Sequence, residues 1–180
     1  MLRSEVWRKP LAKTMTSFEP FQVYWKIYGG FKGLLTSAYF WLSALMTGGC
    51  FPFWLDRGAD GTGRPVADTM MALIPALMAF TLAGMAIVLA LSGEKFTRAI
   101  RQGGKEDSLF MKVVVLFFHF ILVQSLALFS AFILSAYPHL DWLAGTTFFL
   151  AIYGVASAVA IAAMLLNISR IYNLATDGED

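Results

Sequence analysis

The chain has 180 residues, of which 58% are hydrophobic and 14% are charged, and its formal net charge is +2. Soluble domains are about half apolar and about one quarter charged, so this chain has too few charged side chains to cover a water-exposed surface. The composition excludes a soluble enzyme, a disordered chain and a nucleic-acid-binding domain, and it predicts an integral membrane protein.

Residues 1–33 are predicted to form an amphipathic segment at the cytoplasmic face of a membrane. Ser17 is suited to cap a short helix, because its hydroxyl can accept a hydrogen bond from a free backbone N–H. This helix either lies in the headgroup region, where basic residues reach anionic lipids, or packs on the inner end of a helix bundle. Its interfacial face consists of aromatic residues at helical spacing, namely Phe18, Phe21, Tyr24, Trp25 and Tyr28.

Four apolar stretches follow, each long enough to cross roughly 30 Å of hydrocarbon, which takes about 20 helical residues. Ser108 is suited to cap the third stretch, and Pro138 to end it. The sequence therefore predicts an all-α membrane protein, a four-transmembrane-helix bundle over residues 34–172 with an acidic cytoplasmic tail at residues 173–180. The four spans are placed at about 34–55, 69–92, 111–136 and 143–167.

The distribution of basic residues predicts the orientation of the spans. Twelve of the 14 Lys and Arg residues lie in the N-terminal segment, around the second loop and in the tail, and the remaining two lie in the first loop. Lys and Arg accumulate on the cytoplasmic side of membrane proteins. Both termini are therefore expected inside, and the chain is expected to be a multi-pass protein of the bacterial inner (cytoplasmic) membrane.

Small residues form regular seams on two of the predicted spans. In the membrane, small side chains let helices approach closely. The seams are therefore either internal packing of the bundle, or contacts between subunits of a homo-oligomer. The second span carries a heptad seam at Ala72, Ala76, Ala79, Ala83, Ala86, Ala90 and Gly93, and the fourth span carries a narrower one at Ala151, Gly154 and Ala158.

The third span is the most polar. His119 and Ser130 are eleven residues apart, which returns to nearly the same helical angle, and Gln124 and Ser135 repeat this spacing on another face. Intramembrane polar and ionisable residues often line pathways. They also serve as hydrogen bonds between neighbouring helices. Both interpretations remain open for these residues.

The sequence contains no histidine–carboxylate pair for a metal, no phosphate-binding loop and no nucleophile elbow. We therefore expect neither an enzyme nor a cofactor. The basic side of the membrane instead offers a docking surface for a cytosolic protein. Its expected residues in the second loop are Lys95, Arg98, Arg101 and Lys105.

Two functional hypotheses follow. The first is a homo-oligomeric pore or channel-type effector, because one small subunit cannot enclose a pathway alone. The second is a membrane-anchored sensor or scaffold that recruits a cytosolic partner through its basic N-terminus and the 93–110 loop. The size and layout resemble those of small membrane effectors in bacterial antiviral defence systems, a resemblance that involves no shared motif and no particular residue.

Overall fold

The computed structural model describes residues 18–59, 61, 63–90, 100 and 108–176. Within these residues the chain is helical and contains no strand, so the predicted all-α class is confirmed. The helices with described bounds are α1 (Glu19–Tyr28), α2 (Gly30–Thr36), α3 (Ala38–Gly49), α4 (Phe51–Leu55), α5 (Pro65–Ala90), α6 (Leu109–Ala136) and α7 (Asp141–Thr176).

Three helices are long and apolar enough to cross a membrane. They are α5, α6 and the Asp141–Arg170 part of α7, each with a mean hydropathy of 2.3 over its most apolar window. They coincide with the second, third and fourth predicted spans. Their starts follow from the sequence: Pro65 occupies the first turn of α5, where its missing N–H costs nothing. The predicted cap of the third span is confirmed, because the Ser108 hydroxyl accepts from the Met111 N–H at the start of α6.

The prediction of one continuous helix over residues 34–55 is wrong. The chain there forms α2, α3 and α4, which are interrupted at Ser37 and Cys50. Ser37 is extended, with ψ of 124°. Pro52 cannot donate to the carbonyl of Gly48 and would clash with it in a continuous helix, so the helix is interrupted at Cys50. Each of these helices is shorter than a membrane span.

The junction between α1 and α2 depends on glycine. Gly29 and Gly30 have φ of 89° and 61°, in the left-handed region that glycine adopts without strain. Gly33 lies directly against the carbonyl oxygen of Tyr28, where a Cβ atom would collide with the backbone. The chain therefore changes direction at these glycines and enters α2 at an angle to α1.

The bundle is built from α5, α6 and α7, which all contact one another, while α3 packs on α7. Gly84 of α5 lies beside the ring of Phe117 on α6, so the missing side chain of the glycine leaves room for this ring. The α3–α4 segment runs opposite to α7, because Phe40 packs on Phe149 while Trp54 packs on Gly145, nearer the start of α7.

Arg64 joins the end of the bundle where α5 and α7 begin and α6 ends, which we call the Arg64 end. Its side chain is fully buried. The guanidinium donates to the carbonyl oxygens of Trp54 and Pro138 and to the carboxylate of Asp141. Arg57 donates to the same carboxylate from the surface, at 3.1 Å. The buried charge is therefore neutralised and hydrogen-bonded, as such a group requires.

Candidate functional site

The small-residue seam of α5 is exposed along its whole length. Ala72, Ala76, Ala79, Ala83, Ala86 and Ala90, together called the alanine face, all lie on the surface of the protomer. The opposite side of α5 packs into the bundle through residues such as Met70, Ile74 and Val88. Gly93, the last predicted member of the seam, lies outside the described residues. Among the described residues, the alanine face is therefore on the surface.

The seam of α7 has a different environment. Ala151 and Gly154 are buried and Ala158 is partly buried. A Cβ atom on Gly154 would lie 3.3 Å from Cγ of Gln124, so the side chain of Gln124 already fills the space beside the glycine. This seam is used inside the protomer, for the close contact between α6 and α7.

His119 lies at the centre of a buried cluster of aromatic polar side chains. Its Nδ1 is hydrogen-bonded to the Tyr24 hydroxyl at 2.7 Å, and its Nε2 to the Tyr153 hydroxyl at 3.0 Å. The Tyr153 hydroxyl lies 3.2 Å from that of Tyr28. The ring of Tyr28 stacks on the imidazole, with centroids 4.1 Å apart. We call these four residues the Tyr–His cluster; it fastens α1 to α6 and α7.

The contacts of the Tyr–His cluster are suited to uncharged forms of its tyrosine and histidine side chains. Burial raises the pKa of Tyr24 to about 12, so its phenol stays protonated at physiological pH. A neutral imidazole has one N–H donor and one acceptor nitrogen, and tyrosine hydroxyls can complement both. The hydrogen bonds of His119 are thus satisfied within the protein, and the imidazole acts here as a contact between helices.

The other polar residues predicted on the third span also lie mostly inside the protomer. Gln124 is buried, and its Nε2 donates to Thr81 Oγ1 of α5 at 3.1 Å. Ser130 is buried and donates to the carbonyl of Ala127. Ser135, predicted to share a face with Gln124, is exposed near the end of α6. The described contacts therefore use His119, Gln124 and Ser130 for packing.

The aromatic face predicted for the N-terminal helix is divided in the structure. Tyr24 is buried and Tyr28 partly buried against the bundle, whereas Phe18, Phe21 and Trp25 remain exposed. The separation has a geometric cause: α1 packs on α6, so only residues directed at α6 and α7 are covered. Packing on the bundle is therefore observed for Tyr24 and Tyr28, and a position in the headgroup region stays a prediction for the exposed residues.

Several important residues were missed by the sequence analysis. Arg64 was counted only as a loop charge, although an arginine immediately before the helix-starting Pro65 lies at a helix junction. Tyr153 and Thr81 are isolated hydroxyl-bearing residues within apolar spans, a pattern that indicates an interhelical hydrogen bond. Lys95, Arg98, Arg101 and Lys105 lie outside the described residues.

Comparisons with known proteins identify no relative. No known protein family matches the chain, and neither does a curated protein sequence or a solved structure. Among the described residues, no group of three or more His, Cys, Asp or Glu side chains is arranged to hold a metal ion.

Proposed function

We propose that the protein crosses the bacterial inner membrane four times, with both termini in the cytoplasm. Three crossings correspond to α5, α6 and α7. The α2–α4 segment makes the first crossing as a broken helix, supported by the packing of α3 along α7. The distribution of Lys and Arg supports this orientation, in which the Arg64 end lies outside.

The protomers associate through the alanine face. Lipid provides no hydrophobic driving force for joining helices, so close backbone approach through small residues is the common means of association. The alternation of four- and three-residue spacings keeps the alanines on one seam of a left-handed helix pair. The exposure of all six alanines in one protomer is the observation that carries the proposal.

The assembly forms a pore, as expected of a membrane effector. The buried polar residues of α6 are already paired within the protomer, so the pathway runs between copies. The exposed face of α6 is its wall, with Leu126, Phe129, Phe132 and Ile133 in the outer half. Large apolar side chains facing a narrow lumen exclude water and form a gate that opens on rewetting.

The test is ion or dye flux through liposomes that contain only the purified protein. Replacement of the proposed gate residues, Phe129→Ala with Phe132→Ala, is expected to raise the basal flux, because smaller side chains admit water. Leu89→Ala is the control, because Leu89 is exposed on α5, away from the proposed wall. Flux no higher than in protein-free liposomes, for both the native protein and the double variant, would rule out the pore.

A membrane-anchored sensor is the second candidate function. The Tyr–His cluster attaches α1 directly to the bundle, so a partner that binds the basic segment before α1 would pull on α6 and α7. One cytosolic protein that co-purifies at fixed stoichiometry with the full chain would support this role. Loss of that protein on replacing Lys95, Arg98, Arg101 and Lys105 with alanine would assign the contact to the second loop.

A further inference from the structure

Helix α1 crosses α6 and leaves a groove on each side. One groove, of about 380 Å³, is lined by Pro20 and Val23 with Met111 and Val114 among others. The other, of about 740 Å³, extends to Leu122. Since Met111 and Leu122 are eleven residues apart along α6, the two grooves lie at different depths on either side of α1. We call them the inner groove and the deep groove.

The deep groove holds two of the polar residues of α1. It is lined by Gln22 and Lys26 together with the exposed aromatic residues Phe18, Phe21 and Trp25. A helix lying on a membrane surface directs its polar residues toward the aqueous side. Here the inner groove is lined by the apolar Pro20 and Val23 beside Glu19, while Gln22 and Lys26 line the deep groove, on the side of α1 nearer the middle of α6.

The deep groove reaches the middle of α6. Leu122 is thirteen residues beyond Leu109, the first residue of α6, which corresponds to about 20 Å at 1.5 Å per residue. That is close to the midpoint of the helix. Gln22 is exposed in the protomer, and an amide transferred to hydrocarbon without hydrogen bonds costs several kcal/mol. An aqueous lumen next to the groove removes that cost.

We propose that the deep groove is a water-filled vestibule of the pathway, with Gln22 and Lys26 on its wall. This inference rests on the proposed pore and extends it, because it names the polar part of the lumen. The vestibule occupies the inner half of the wall, where α1 covers α6. The apolar residues Leu126 and Phe129 continue the same wall outward, so the wet vestibule ends at the hydrophobic gate.

Thiol accessibility tests the vestibule. The lone cysteine is removed as Cys50→Ser, and Gln22→Cys is compared with Val23→Cys, its neighbour in the inner groove. Proteoliposomes are treated with a charged, membrane-impermeant methanethiosulfonate added on both faces. A hydrated thiolate attacks the reagent, forms a mixed disulfide and releases methanesulfinate, and intact mass measures the product. Trp25→Cys lines the same groove and is the second variant.

We expect Gln22→Cys and Trp25→Cys to react at least ten times faster than Val23→Cys. Modification of Gln22→Cys is also expected to change the flux of the proteoliposomes. Equal or faster reaction of Val23→Cys would place the water on the inner side of α1 and overturn the vestibule, even if the native protein conducts. Absence of flux from the native protein would refute the pore, because labelling is measured by mass and does not depend on conduction.

Discussion

The two small-residue seams have the same sequence pattern and different surroundings. On α7, Gly154 is packed against Gln124 of the same chain. On α5, the six residues of the alanine face are exposed. Periodic small residues therefore identify a surface built for close approach, while the fold determines whether the approaching helix belongs to the same chain or to another copy.

This difference predicts that substitutions in the two seams have different effects, one on the stability of the protomer and one on the mass of the assembly. Enlarging a residue of the α7 seam overpacks the protomer itself, because the space is already filled. Enlarging a residue of the alanine face is expected to leave the protomer intact and, if copies associate as proposed, to separate them. Stability of the protomer and mass of the assembly are thus the two measurements that distinguish the seams.

The largest loss of stability is expected from a substitution of Arg64, which lies in neither seam and serves as a reference. Arg64→Met removes the buried guanidinium and leaves the carbonyls of Trp54 and Pro138 without their donor. We expect the free energy of unfolding to fall by about 3 kcal/mol, because two carbonyl oxygens each lose a hydrogen bond from a charged donor. Unfolding in mixed micelles with increasing denaturing detergent measures it. The control Arg57→Met removes the exposed arginine that binds the same Asp141 carboxylate, and its effect should be much smaller, because exposed ion pairs contribute little.

The next effect tests the filled seam. Gly154→Leu inserts a side chain where Cγ of Gln124 is already 3.3 Å from the position of a Cβ atom. Overpacking of this kind costs about 2 kcal/mol, so the unfolding transition should move to lower detergent. Val155→Leu, at the next and more exposed position, should leave the transition unchanged. A stable Gly154→Leu protomer would show that the α7 seam is not filled within the protomer.

A smaller effect is expected where α1 meets the bundle. Tyr24→Phe keeps the ring and removes the hydroxyl that is bonded to His119 at 2.7 Å. The expected loss is about 1 kcal/mol, confined to α1. Amide hydrogen exchange should therefore rise in residues 19–28 and stay unchanged in α5. If α5 exchanged faster to the same extent, the cluster would belong to the global fold and not to the attachment of α1.

The long elements and their caps could be predicted from the sequence because they depend on local properties. Apolar length located α5, α6 and α7, and a single hydroxyl identified the start of α6 at Ser108. The break in the first span was missed because mean hydropathy does not register the missing N–H of Pro52, which follows Gly48 and Gly49 by a few residues. Hydropathy averages over a window, whereas one missing N–H interrupts a helix.

The partners of the site residues could not be predicted, because they are determined by tertiary contacts. His119 was identified as a polar residue in a span, but its hydrogen bonds come from Tyr24, 95 residues away, and Tyr153, 34 residues away. The surroundings of the alanine face could not be predicted from the sequence either. Its periodicity is evident in the sequence, and only the fold shows that its six alanines are exposed.

We propose that the alanine face joins copies of the protein. The most direct measurement is the native mass of the protein in mild detergent, for the native chain and for Ala83→Leu with Ala86→Leu. Ala162→Leu with Ala163→Leu is the matched control, since these are exposed alanines on α7. We expect a closed oligomer for the native chain and the control, and smaller, folded species for the α5 variant. A native chain that is monomeric, or an α5 variant that keeps the full mass, would contradict the claim.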